Sequence, residues 1–135
     1  MNKFQRRINF FDADPAGVMF FGHVYSLCHS AYEELLAGFG LSDNYFNHPE
    51  IAIPVVHSEA DYMKPLYPGE EVTIEIEAGQ IGKSSFNLLY SVYNSRNEKA
   101  ASVKTAHVFI DKKSFSKRSI PGDFLQKLNG INAEN

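Results

Sequence analysis

"FFDADPAGVMFFGHVYSLCHSAYEELL", residues 10–36, decides how the rest of the chain is read. From Phe21 onward the apolar positions Phe21, Val24, Tyr25, Cys28, Ala31, Tyr32, Leu35 and Leu36 recur at the spacing that places them on one side of an α-helix. Gly38 and Gly40 mark the stop, so the spacing predicts a helix of about 19 residues, roughly 28 Å long. Just ahead of it, "DADPAG" reads as a turn. Pro15 fixes its own φ and disfavours the helical region for Asp14, while Gly17 permits a conformation or a close approach denied to other residues. The turn therefore brings two carboxylates, Asp12 and Asp14, to the start of a long amphipathic helix.

On the N-terminal side, Phe4, Ile8 and Phe10 fall on one side of an alternating pattern, which predicts a first strand within 4–11. Beyond a polar loop at 41–50, strands are predicted over about 53–63, 71–80, 84–94 and 98–111, from alternation and from β-branched and aromatic content. Val72, Ile74, Ile76 and Ala78 alternate with Thr73, Glu75 and Glu77, so the first set should lie on the helix and the second should meet solvent or a partner. "YPGEE" at 67–71 has the Pro-Gly pair of a type II turn, and "NSRNE" at 94–98 is a polar hairpin connection. After Ile120, Pro121 at a helix start with Phe124, Leu125 and Leu128 on one side predicts a short terminal helix. With no repeats or linkers, residues 1–135 are expected to form one α+β domain, a single long helix packed on one antiparallel sheet. Such a sheet keeps two open edges and a bare face, which favours a homo-oligomer.

Composition narrows the functional classes. With 44% hydrophobic and 21% charged residues the chain is globular rather than disordered, and a net charge of −3 provides no basic footprint for nucleic acid. Cys28 is the lone cysteine, so an internal disulfide framework and a multi-cysteine zinc site are excluded, and a reducing, cytoplasmic location is expected. No apolar run is long enough to cross a bilayer. His48 and His107 have no partners at metal-binding spacing, and no metal is expected. "GQIGKSS" lacks the spacing of a Walker-type phosphate loop.

What remains is the chemistry of the turn. The first N–H groups of a helix lack intrahelical partners, and the dipole there is positive, so a negative oxygen placed nearby is stabilised. A carboxylate with free N–H donors is half of an acyl-transfer site: the first attacks or activates water, the second hold an oxyanion. Aspartates near helix starts also serve as caps, and the pattern alone leaves both readings open.

"FFDADPAGVMFFGHVY" resembles the active-site segment of the 4-hydroxybenzoyl-CoA thioesterase family, in which a strand leads through Asp-x-Asp-x-x-Gly and an apolar stretch into the long helix. "IPVVHSEADYMKPLYPGEEVTIEI" and "GKSSFNLLYSVYN" follow in the family's order, so the resemblance extends to about Asp111. Within the family, "LCHSAYEEL" and "IPVVHSEADY" are most similar to thioesterases that release 1,4-dihydroxy-2-naphthoate from CoA. The resemblance implies the hotdog fold, an antiparallel sheet wrapped around a central helix, assembled as a homodimer or homotetramer. It also implies an acyl-CoA substrate, of which CoA is part, and no separate cofactor. Asp14 matches the family's catalytic carboxylate, while Asp12 would order the turn, and the N–H groups of Phe21 or Gly22 would face the thioester oxygen.

Gly17, His23, His29, His57, Ser58, Lys83, Ser84 and Ser85 are the substrate-binding candidates. His29 is about 100° round the helix from Cys28, which rules out a dyad and assigns Cys28 to the core. His29 itself is either a substrate contact or a hydrogen-bonded helix histidine. His23 faces the thioester or solvent, and His57 is a substrate contact or a buried structural residue. "GKSS" resembles the family's segment near the nucleotide end of CoA, or is a polar hairpin turn. The basic run at Lys112, Lys113, Lys117 and Arg118 would steer an anion or is a solvated loop. Two other activities use the same scaffold: a hydroxyacyl-thioester dehydratase built on His23 and Glu33, and a non-catalytic acyl-CoA binder.

Overall fold

The computed structural model describes residues 2–132. The strands are β1 (Lys3–Arg7), β2 (Ile51–Ala52), β3 (Val55–Tyr62), β4 (Glu71–Ile81), β5 (Ser85–Tyr93), β6 (Lys99–Val108) and β7 (Ile110–Asp111). The helices are α1 (His23–Gly38) and α2 (Gly122–Gly130). Five strands form one sheet in the order β1-β4-β5-β6-β3, every neighbouring pair antiparallel. β2 and β7 pair separately. This is the expected hotdog arrangement of a sheet around one long helix.

Periodicity explains the packing. Val24, Cys28, Ala31, Tyr32 and Leu35 are the buried stripe of α1. Val72, Ile74, Ile76 and Ala78 of β4 are buried with them, as alternation requires. Each Val, Leu or Ile among them taken fully out of water contributes roughly 1.5–3 kcal/mol, which is what holds the helix in the sheet. α2 closes the far end: Phe124 is completely buried, with its ring centroid 4.9 Å from that of Phe109 and 5.7 Å from that of Phe39. The Tyr67–Glu70 turn is type II as expected, with Gly69 at φ +88° and Glu70 N–H donating to the Tyr67 carbonyl.

Several boundaries differ from expectation. The first strand ends at Arg7 rather than 11, because Asn9 and Asp12 form a capping box around a 3-10 turn over Phe10–Asp12 that leaves Phe10 87% exposed. The helix begins at His23, and Phe21 is exposed rather than part of its buried stripe. The last long strand breaks at Phe109, so that Ile110 and Asp111 pair with β2. Pro121 precedes α2 as its N-cap. The apolar start of β3 is solvent-facing: Val55 and Val56 are exposed because β3 is an edge strand paired only to β6.

Candidate active site

Asp14 lies at the tip of a small hairpin. At its base Phe20 N–H donates to the Asp12 carbonyl at 2.8 Å, and nearer the tip Asp14 N–H donates to the Val18 carbonyl at 2.9 Å. The tip is a Pro15-Ala16 turn closed by Gly17 N–H to the Asp14 carbonyl at 2.9 Å, with Gly17 at φ +82°. One Asp14 carboxylate oxygen accepts the Ala16 N–H at 2.8 Å; among the described residues the other accepts nothing. Asp12 clamps the base: its Oδ2 accepts Asn9 N–H at 2.9 Å and its Oδ1 is 3.9 Å from His23 Nδ1.

The hairpin returns directly into the start of α1. Phe20 and His23 N–H groups are used within the backbone, whereas those of Phe21 and Gly22 find no acceptor among the described residues. Gly22 has a local reason to be glycine, since a Cβ there would lie 3.0 Å from the Phe20 ring. The peptide between Phe21 and Gly22 is held from the other side by Tyr62 of β3, whose phenol donates to the Phe21 carbonyl at 2.5 Å.

One cavity touches this point and a second begins a turn further along α1. One, of about 320 Å³, touches Phe21, Tyr62, Met63 and Leu66. The other, of about 480 Å³, runs along α1 from Tyr25 to Glu33 and is closed by Val55 and Ser58 of β3 and by Tyr90, Thr105 and His107 of the sheet. The structure thus brings His29 and Ser58 together in one cavity. Asp14, Gly17 and His23 line neither, and Gly22 joins the site only through its amide.

The remaining candidates fall elsewhere. His57 is neither buried nor in the cavity; it is exposed and its Nε2 lies 2.9 Å from Glu59, on the face of β3 opposite Ser58. Lys83, Ser84 and Ser85 lie at the β4–β5 turn, roughly 34 Å along β4 from the end of the sheet that carries the Asp14 hairpin. There the Lys83 and Ser84 carbonyls accept Ile120 and Phe109 N–H, so the backbone of this segment anchors the approach to α2. The basic loop at 112–118 is at the same distant end, with Arg118 3.7 Å from Asp111. Among the described residues no three His, Cys, Asp or Glu side chains converge on a possible metal position.

One group was missed from the sequence. Tyr90 Oη lies 3.0 Å from Thr105 Oγ1, which lies 2.7 Å from His107 Nε2, and all three residues are buried. The His107 ring stacks on Phe86 at 4.8 Å and packs against Tyr32 at 4.7 Å. Burial, with a smaller contribution from His29, lowers its pKa to about 4, so it is neutral at pH 7. The available signal was the alternation Val103, Thr105, His107, Phe109, which turns two polar residues toward the core face.

Comparison with known proteins places this arrangement. The chain is 38% identical over 132 residues to the 1,4-dihydroxy-2-naphthoyl-CoA hydrolase of Gloeothece citriformis, covering 96% of this chain and 92% of that one. It is 34% identical over 126 residues to the enzyme of the same name from Nostoc punctiforme, covering 93% and 84%. The crystal structure of a 1,4-dihydroxy-2-naphthoyl-CoA thioesterase from Synechocystis superposes with a TM-score of 0.88 at 25% identity, covering 96% of each chain. The profile of the thioesterase-like superfamily matches residues 8–128, and the chain belongs to that family.

Proposed function

We propose that the protein hydrolyses the thioester of an aromatic acyl-CoA, with 1,4-dihydroxy-2-naphthoyl-CoA and 4-hydroxybenzoyl-CoA as the first substrates to try. The activity named for the relatives supports the class. The observation that carries the chemistry is local: a hairpin with Asp14 at its tip leads straight into the N–H groups of Phe21 and Gly22, and among the described residues neither those amides nor one Asp14 carboxylate oxygen has a partner.

In this reading the two amides hold the carbonyl oxygen as it gains negative charge, and Asp14 acts on the carbonyl carbon. Direct attack forms a mixed anhydride and expels the CoA thiolate, after which water releases the acid; alternatively Asp14 takes a proton from water, and hydroxide expels the thiolate. Either route balances with water alone and calls for no cofactor. The dehydratase reading is not favoured, because His23 faces Asp12 whereas Glu33 lies 3.5 Å from His29. The open β3 edge, with Val55 and Val56 exposed, supports assembly through that strand as a homodimer or as part of a homotetramer.

The deciding experiment measures thiol release from aryl-CoA thioesters by the wild type and by Asp14→Asn. The variant is expected to fold and to lose about 10²–10⁴-fold in turnover. Wild-type turnover by Asp14→Asn would overturn the assignment.

A further inference from the structure

The Tyr90–Thr105–His107 ladder has an end that the protein itself does not satisfy. Neutral imidazole carries one N–H, and His107 Nδ1 is buried without a hydrogen-bond partner among the described residues. A proton on Nδ1 would leave a buried donor without an acceptor, the rarer and costlier defect, so the proton belongs on Nε2. Nε2–H then donates to Thr105 Oγ1, and the Thr105 hydroxyl donates to Tyr90 Oη. Thr105 Oγ1 could also accept from Tyr90, so the pair keeps one unpaired hydroxyl hydrogen in either orientation, and in this one it is the Tyr90 O–H that has no acceptor among the described residues.

Tyr90, Thr105 and His107 all line the cavity of about 480 Å³, a volume within the range of small-molecule sites. Across the cavity stand His29 and Glu33 of α1, and beside Thr105 stands its cross-strand partner Ser58 of β3, each able to accept a hydrogen bond. We propose that this cavity receives the ring of the acyl group and that the ladder, through Tyr90, reads a ring hydroxyl. The phenolic oxygen accepts a hydrogen bond from Tyr90 and donates one to the α1 wall. This inference rests on the thioesterase reading and adds to it a specificity determinant, the hydroxylated over the unsubstituted aryl group.

The test uses product-like acids, so that it does not depend on turnover. 4-Hydroxybenzoate and benzoate, and 4-hydroxy-2-naphthoate and 2-naphthoate, are titrated into the protein by calorimetry. The wild type is expected to prefer each hydroxylated acid by about tenfold, and Tyr90→Phe and Thr105→Val to bring that ratio close to one. Because both substitutions are buried, their folding is checked by circular dichroism. A measurement on the wild type needs no variant: the His107 ring nitrogen resonances should shift with the hydroxylated acid of each pair and not with the other. No preference in the wild type, whether from equal binding or from none, overturns the proposal, as does an unchanged ratio in folded variants. Hydrolysis of aryl-CoA thioesters without hydroxyl discrimination would sink this inference alone. Discrimination between the acids without any thioester hydrolysis would sink the thioesterase reading alone.

Discussion

The Tyr62 phenol and the Phe21 carbonyl, 41 positions apart in sequence, meet in a 2.5 Å hydrogen bond. The Phe21 carbonyl and the Gly22 N–H belong to one planar peptide unit, so a bond that fixes the first also fixes the direction of the second. Tyr62→Phe is therefore expected to lower kcat about tenfold with a smaller change in KM, and steady-state kinetics on an aryl-CoA substrate checks it. Equal effects on both parameters would place Tyr62 outside oxyanion positioning.

Gly17→Ala isolates the hairpin tip. A Cβ there meets nothing within 4 Å, so the cost comes from φ +82° alone, about 1–2 kcal/mol. A melting temperature lowered by a few degrees is expected, together with a larger loss of turnover than that destabilisation explains, because the turn carries Asp14. Thermal unfolding and thiol-release assays on the same preparation separate the two effects.

Acid should destabilise the fold through His107. Its folded pKa is depressed to about 4 against about 6.5 for an exposed imidazole, so the unfolded chain binds the proton first. The stabilising contribution is complete above pH 6.5 and disappears as the pH falls toward 4, a loss of roughly 3 kcal/mol. Urea unfolding between pH 7 and pH 4 should show this slope, and His107→Gln should flatten it.

Val56→Lys on the exposed edge strand should convert the proposed homodimer to monomer, since a lysine ammonium opposes strand-to-strand pairing. Light scattering after size exclusion reads the mass directly, and an unchanged assembly would move the interface away from β3.

The α+β arrangement was legible because its signals are local and periodic. Val72, Ile74 and Ile76 alternate without interruption, and Val24, Cys28, Ala31 and Leu35 hold a helical spacing. The turn chemistry at Asp14–Gly17 was legible for the same reason, being set by Pro15 and Gly17. Phe10 and Phe21 were misplaced because hydrophobicity alone does not reveal that a capping box at Asn9–Asp12 and a helix start at His23 leave them in solvent. The exposure of β3 depends on which strand lies beyond it, a property of sheet order that no segment carries within itself. The Thr105–His107 pair went unrecognised because its partner Tyr90 lies on another strand, and only the β5–β6 register brings the three together.

Cys28 is the lone cysteine, and burial on the sheet-facing side of α1 pushes its thiol pKa up to about 12. A thiol kept protonated and out of solvent is slow to react with disulfide dyes. In the native enzyme the colour developed by such a dye therefore counts coenzyme A set free, and an abrupt rise in the blank reports unfolding.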